Sequence, residues 1–438
     1  MENNKIIVGL DVGTTKVIAL VGKTNDHGDV EILGMGESIS EGVVQGVITN
    51  LDKTVLAINH AIQEAEESTG IDIQVVHVGI GGRHIRSSVH HGSLTLEKRD
   101  QEITIADIEH LRNDMYKILL PPGKEIIHVV PQDYIVDYET GIKDPVGMAG
   151  VRLEANFQII TARTSAIQNI HKCLKRANLK MAALMLEPLA ASLAILSEEE
   201  KEAGICLIDI GGGTADMAIF HDGILRHTAV IPFGSQSINN DLKACFQLLD
   251  YQAELIKKQF GNAIPSLANP AELVTIPGLR NRPPKEISLL ALSHIIEARM
   301  QEIIAFTFNE IIQAGYLNKL AAGIVITGGG AQLQSIKILF EKITNIATRV
   351  GIPHERIVNN DFKKNLQNPA FSTAVGLVLS GFYSLDHREQ FKDLTHTQSM
   401  IGNAKKTKKK ESQPGDFFKR IINKTKGLLI DDYESPLQ

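Results

Sequence analysis

Short apolar, β-branched runs that halt at glycine punctuate this chain, and between them lie stretches with apolar residues every three or four positions. The opening run, Lys5 to Gly22, carries apolar segments on both sides of Asp11-Val12-Gly13-Thr14-Thr15. That pattern predicts a strand, a tight turn and a second strand. Gly204 to Gly223 repeats it: setting Asp209 on Asp11 puts Ile210 on Val12 and Gly211 on Gly13. A third buried strand, within Ala321 to Leu333, ends at Gly328-Gly329-Gly330 and opens a helix. Helical spacing marks Thr54 to Ser68, Ser165 to Ala177, Ser237 to Gly261 and Leu289 to Ala314. The last two bracket a loop-like stretch rich in Pro, Asn and Arg.

Strands are predicted at Gln74 to Ile80 and Met181 to Leu186, and the texture changes between them, from His84 to about Thr161. There a predicted helix, Ile105 to Leu119, stops at Pro121-Pro122, and β-rich runs follow at Glu125 to Asp137 and Leu153 to Thr161. This segment reads as an inserted subdomain. Two copies of one strand-turn-strand unit, half a chain apart, imply an internally duplicated α/β protein.

Composition narrows the function. A chain of 438 residues is too long for one core and suggests two to four domains. The lack of Trp and the few aromatics argue against a carbohydrate or single-stranded nucleic-acid platform. A net charge of −6 gives no global basic field, so no nucleic-acid partner is expected. Cys173, Cys206 and Cys245 lie far apart with no C-x-x-C, which fits buried thiols in a reducing cytosol. Glu2, Lys5 and Asp11 surround too short an apolar run for a signal peptide, and no uninterrupted apolar stretch of about 18 residues occurs. His90-His91 and the other scattered histidines read as surface residues, and Leu289 to Ala314 as core.

The glycine turns carry the chemistry. Backbone N–H groups grip a phosphate chain only where the backbone comes very close; glycine permits that, and threonine hydroxyls add donors. Asp11 and Asp209 sit at the entry to their turns, where carboxylates would hold Mg2+ through its waters. Gly328-Gly329-Gly330 is placed to meet adenosine or phosphate at a helix N-terminus. Neither a G-x-G-x-x-G fingerprint nor a Walker A motif appears, so the expected nucleotide binder is of another kind.

These motifs, in this order, resemble the actin, Hsp70 and sugar-kinase superfamily. Gly9 to Lys16 (GLDVGTTK) resembles its first phosphate loop, and Leu207 to Asp216 (LIDIGGGTAD) its second. Ile326 to Leu333 is similar to its adenosine motif, while Met185 to Ser192 and Asn368 to Leu377 resemble its two connecting helices. The resemblance implies ATP with Mg2+, held by Asp11, Gly13, Thr14, Thr15, Lys16, Asp209, Gly211, Gly212, Gly213, Thr214, Gly328, Gly329 and Gly330. Within Gln252 to Gly261, Glu254, Lys257 and Lys258 would line the nucleoside side, and Glu187 would orient a hydrolytic water, with slow turnover at most.

Within that superfamily, Pro121 to Asp137 and Pro145 to Ala155 resemble segments of the inserted subdomain 1C of the FtsA cell-division family. The resemblance implies a duplicated actin-like ATPase fold of two lobes, each a mixed sheet with helices. Residues 1–83 and 163–203, with 370–386 returning, would form subdomain 1A and 84–162 subdomain 1C; 204–236 with 315–369 would form 2A, and 237–314 would form 2B. It also implies a head-to-tail polymer at the division site that binds the tail of the tubulin-like FtsZ through 2B, attaches it to the membrane and meets later division proteins. A small-molecule kinase, a chaperone, and pilus-assembly or rod-shape relatives are the alternatives.

The C-terminal part has its own physics. His387 to Pro414 is polar, with a basic run at Lys405 to Lys410, and reads as a disordered linker. In the following segment, 415–431, Phe417, Phe418, Ile421, Ile422, Leu428 and Leu429 recur at three- and four-residue steps, with Lys419, Arg420, Lys424 and Lys426 on the flanks. Such a helix suits the headgroup plane of an anionic membrane, each basic residue contributing ~1 kcal/mol. Docking on a protein surface is the other use of such a helix.

Overall fold

The computed structural model describes residues 5–25, 30–96, 102–278, 283–353, 357–358 and 366–385. The linker and amphipathic helix expected at 387–414 and 415–431 lie outside the described residues.

The first half opens with β1 (Ile6–Val12), β2 (Lys16–Thr24) and β3 (Val30–Ile39), then a small hairpin, β4 (Val43–Val44) and β5 (Val47–Ile48). Helix α1 (Leu51–Thr69) starts three residues earlier than its apolar spacing suggests, because the Asn50 side chain accepts the Lys53 N–H at 3.0 Å and caps it. Its buried stripe of Ala57, Ile58, Ala61, Ile62 and Ala65 covers the sheet that β6 (Val75–Ile80) then joins.

The inserted segment contains β7 (Arg86–Thr95), α2 (Ile105–Met115), β8 (Lys124–Val136), β9 (Glu139–Ile142) and β10 (Arg152–Arg163). A Thr104–Asp107 capping box starts α2 at the expected residue. It ends four residues earlier than Leu119, where the Tyr116 and Lys117 N–H groups turn back to carbonyls three residues away. These strands form their own sheet, ordered β7-β10-β8-β9, over a core that includes Leu111, Leu153 and Phe157.

Helix α3 (Thr164–Arg176), β11 (Lys180–Leu186), α4 (Glu187–Ile195) and α5 (Glu198–Ala203) lead into the second half. There β12 (Ile205–Ile210), β13 (Ala215–His221) and β14 (Ile224–Ile231) are followed by α6 (Gln236–Phe246) and α7 (Asp250–Phe260). The sequence shows one helical period across these two helices. The chain breaks it at Gln247, which is left-handed at φ 50°, and the Gln252 side chain accepts the Leu249 N–H at 3.0 Å to restart the helix. The stretch read as loop-like contains a hairpin, β15 (Leu273–Ile276) and β16 (Lys285–Ser288), whose partners lie across the loop and leave little local signal. Helix α8 (Leu289–Gln313) buries one side in the core, as expected, before β17 (Gly323–Thr327), α9 (Ile336–Thr344) and β18 (Thr348–Val350). Residues 372–385 form a closing helix.

The duplication extends to whole sheets. The first is ordered β11-β6-β1-β2-β3 and the second β18-β17-β12-β13-β14. In each, three strands run parallel and the last two are antiparallel additions. The inserted sheet also reaches the second half. Arg226 on β14 forks onto Asp133 of β8 at 2.9 and 3.2 Å, and the Gln132 amide donates to the Leu225 carbonyl at 2.9 Å.

Candidate functional site

Both predicted turns close in the same way. The Gly13 N–H donates to the Lys16 carbonyl at 3.0 Å, and the Gly211 N–H to the Thr214 carbonyl at 2.9 Å. Register places Asp11 and Asp209 at matching positions, two residues before the closing glycine. The turns approach each other closely: a Cβ on Gly212 would lie 2.4 Å from the Thr15 methyl, and one on Gly213 would lie 2.6 Å from the Thr14 hydroxyl. Gly328, at φ +83°, fits the third turn against the Asp209 carboxylate, which a Cβ would meet at 2.1 Å.

A cleft of about 660 Å³ is lined by every residue that the sequence singled out for the cofactor. They are Asp11, Gly13, Thr14, Thr15, Lys16, Asp209, Gly211, Gly212, Gly213, Thr214, Glu254, Lys257, Lys258 and the three glycines Gly328, Gly329 and Gly330. Glu187 lies in the same lining. One detail differs from the expectation: the glycines open a short 3-10 turn, Gly329–Gln332, and the α-helix starts only at Ile336.

Four of the carboxyl groups that line the cleft, Asp11, Asp209, Asp216 and Glu187, crowd together. Burial pushes Asp11 up to about 6, against the pull of the Lys16 ammonium. Burial, then Asp216 and Asp11, push Asp209 up to about 7, although the Thr373 hydroxyl donates to it at 3.0 Å. Asp216 rises to about 6 through burial, tempered by the Thr214 hydroxyl at 2.6 Å and the Gly82 N–H at 3.3 Å. Burial, reinforced by Asp11, Asp216 and Asp209, holds Glu187 well above the usual carboxylate range. Carboxylates crowded in this way lower their mutual repulsion by keeping protons or by facing a cation. Hard oxygen donors suit Mg2+, which keeps several of its own waters. Among the described residues no group of three or more acidic, His or Cys side chains is gathered as direct metal ligands.

On the opposite wall, α7 presents an ion-pair cluster. Glu254 meets Lys257 at 2.6 Å, Lys258 at 3.2 Å and the Asn239 amide at 2.6 Å. Burial raises the Glu254 carboxyl, but these partners prevail and hold it at about 2. Lys257 is buried and also donates to the Ser235 carbonyl at 3.3 Å, while Lys258 is exposed. Lys16 lies 4.2 Å from the Phe371 ring centroid, a cation–π contact across the cleft mouth.

The sequence did not single out Asp216, Thr373 or Ser235, although the first two stand inside the quoted motifs. Asp216 faces Asp209 directly across the β12–β13 pair, which could be found by counting residues back from the turn. Thr373 reaches Asp209 from 164 residues away, a contact that no local pattern encodes. Two histidines also depart from the surface expectation: His84 is buried, and half-buried His128 is hydrogen-bonded inside the molecule.

Twinned sheets with facing glycine turns define an actin-like ATPase fold. Solved structures agree with that class: a PilM–PilN type IV pilus biogenesis complex matches at TM-score 0.63 and 14% identity, covering 86% of this chain and 98% of that one. MreB5 of Spiroplasma citri, solved bound to ADP, matches at TM-score 0.52 and 14% identity over 89% of this chain and 98% of that one. The chain belongs to the family of the cell division protein FtsA. It is 39% identical to FtsA of Pseudomonas aeruginosa, over 87% of this chain and 90% of the relative. With FtsA of Borreliella burgdorferi it shares 37% identity over 98% of this chain and all of the relative. The family model for cell division protein FtsA matches residues 206–376, and that for the SHS2 domain inserted in FtsA matches 82–161. Among the described residues no helix is long and apolar enough to cross a membrane.

Proposed function

We propose that the protein is an ATP-regulated, membrane-attached adaptor of bacterial cell division. The observation that carries this reading is the convergence of both duplicated turns, the third glycine turn and four carboxyl groups on one cleft. Backbone N–H groups of the turns, with the Thr14, Thr15 and Thr214 hydroxyls and Lys16, suit the phosphates of ATP. Asp11 and Asp209 would hold Mg2+ through its waters, which would shield the phosphate charge. Glu254, Lys257, Lys258 and Gly328 to Gly330 would border the nucleoside. Glu187 would orient a water, with slow turnover at most.

Around that cleft the family supplies the rest of the reading: head-to-tail filaments, capture of the FtsZ tail by residues 237–314, contact with later division proteins, and peripheral attachment to the cytoplasmic membrane. The segment Phe417 to Leu429 would lie in the headgroups of anionic lipid, presenting Lys419, Arg420 and Lys424 to phosphate. Assembly would strengthen this attachment by presenting many tails at once.

Co-sedimentation of the full chain and FtsZ with anionic liposomes, with and without Mg-ATP, tests the whole. FtsZ should pellet only when the full chain is present, and Phe418→Glu with Ile422→Glu should leave both in the supernatant while nucleotide binding persists. Sedimentation of the Glu variant at wild-type level would show the tail to be a protein-docking helix.

A further inference from the structure

Strand β8 belongs to the inserted segment, yet it bonds to the residue just before Glu187, which lines the cleft. His128 Nε2 accepts the backbone N–H of Leu186 at 3.0 Å. Leu186 closes β11 and is the N-cap of α4, and Glu187 is the first residue of that helix. The cap makes no side-chain hydrogen bond, so the entry of α4 depends on whatever holds the Leu186 backbone. On its other side the Glu187 carboxylate lies over the bare backbone of Gly81, where a Cβ would fall 2.2 Å from Oε2. The carboxyl is thus set between a glycine wall and a helix start that β8 pins.

The same strand is held at a second point. Asp133 takes both guanidinium nitrogens of Arg226, whose side chain is itself buried and also bonded to Asp222 at 3.1 Å. At the entry to the segment the Gly82 N–H donates to Asp216. The inserted sheet therefore reaches the carboxyl cluster through one backbone, at Glu187, while the loop that leads into it touches Asp216 from Gly82.

We propose that His128 is a positioning residue for Glu187: by accepting the Leu186 N–H it fixes where α4 begins, and nucleotide turnover depends on how the inserted sheet is seated. This rests on the nucleotide reading of the cleft. A neutral imidazole accepts at Nε2 when its proton is on Nδ1. Loss of water around the ring draws the His128 pKa down to about 4, so that form holds at neutral pH. A displacement of the sheet by a partner would release Leu186, and small misplacements of a water-orienting group cost rate steeply.

Two polar substitutions in the full chain separate the acceptor from the fold. His128→Gln carries an acceptor about as far as Nε2, whereas His128→Asn stops short of it. Steady-state ATP turnover and the Kd for a fluorescent ATP analogue with Mg2+ are the readouts. His128→Asn should lower kcat about tenfold, ~1.4 kcal/mol, with Kd within about twofold, and His128→Gln should recover most of the rate. Wild-type kcat in His128→Asn, or equal losses in both variants, overturns the proposal. Should His128→Asn fail to fold, Asp133→Asn carries the test by loosening β8 from Arg226: a lower kcat at unchanged Kd supports the proposal and an unchanged kcat overturns it. A wild-type protein that binds no nucleotide sinks the reading of the cleft and the proposal together. Binding without turnover, or turnover indifferent to His128, sinks the proposal alone.

Discussion

The two facing turns share one backbone and differ in what they carry. The first, after Asp11, offers Thr14, Thr15 and Lys16; the second, after Asp209, offers Gly212, Gly213 and Thr214. Across the sheet Asp11 is paired with Ile18, whereas Asp209 is paired with Asp216. One turn therefore brings side-chain donors and a positive charge, and the other brings bare backbone and a second carboxylate. Duplication supplied the frame, and divergence divided the labour: the Lys16 side softens the rise of Asp11, while the Asp216 side drives Asp209 further up. Like charges directly opposed on a sheet are destabilising, so the second turn is the one that gains most from a cation.

The largest expected effect breaks that symmetry. Gly213→Val should weaken Mg-ATP binding by about 100-fold or more, ~2.7 kcal/mol, because its side chain would strike Thr14 and the Gln45 backbone as well as any phosphate. The same reasoning applies to Gly212→Val, whose clash falls first on Thr15. Calorimetric titration of folded protein checks both. Thr14→Val and Thr15→Val keep the shape of the first turn and remove one hydroxyl each. Each should cost about tenfold, near the upper range for one hydrogen bond at ~1.4 kcal/mol. Equal losses at both turns would dissolve the distinction drawn here.

Acidity sharpens the comparison next. Asp209, Asp11 and Asp216 have folded pKa values of about 7, 6 and 6, above the unfolded value of 3.8. Between those limits the folded state binds more protons than the unfolded one, so their contribution to stability is present below about pH 4. It is lost as pH rises through 6 to 7. Asp216→Asn, which keeps an acceptor for Gly82, should therefore raise the melting temperature of nucleotide-free protein at pH 7.5 and only about half as much at pH 5. Asp11→Asn, set beside Lys16, should give a smaller gain. Melting curves at the two pH values decide it, and a gain at pH 5 equal to that at pH 7.5 would remove the repulsion argument. Mg-ATP affinity should rise over the same interval as the carboxyls ionise.

The smallest effect belongs to the far wall. Lys258→Ala removes an exposed member of the Glu254 cluster and should change nucleotide affinity by less than about threefold, as exposed pairs contribute ~0–1 kcal/mol. Lys257→Ala strips a buried partner from Glu254 and should destabilise the fold itself, by up to ~3 kcal/mol. Urea unfolding of the two variants measures the contrast.

Much of this site is legible in the sequence, since a turn that grips phosphate needs glycine, threonine and an entering carboxylate within a few consecutive residues. Those requirements are local, and both turns and the third glycine run satisfy them in order. Local rules also give most helices and core strands, because burial imposes a period of 3.6 or 2 on the residues themselves. Family resemblance, likewise a property of the sequence, set the duplicated actin-like frame around the turns.

Tertiary structure decided what depends on partners distant in sequence. The β15–β16 hairpin, Thr373 on Asp209, Arg226 on Asp133 and His128 on Leu186 are such cases. Each joins residues that no window along the chain contains together. The raised pKa values at the cleft are of the same kind: an aspartate in isolation titrates near 3.8, and only the folded chain puts four carboxyls where water is scarce and their charges add. Sequence determined which groups the cleft would contain; packing determined how they act on one another, because desolvation and Coulomb repulsion depend on distance through space rather than along the chain.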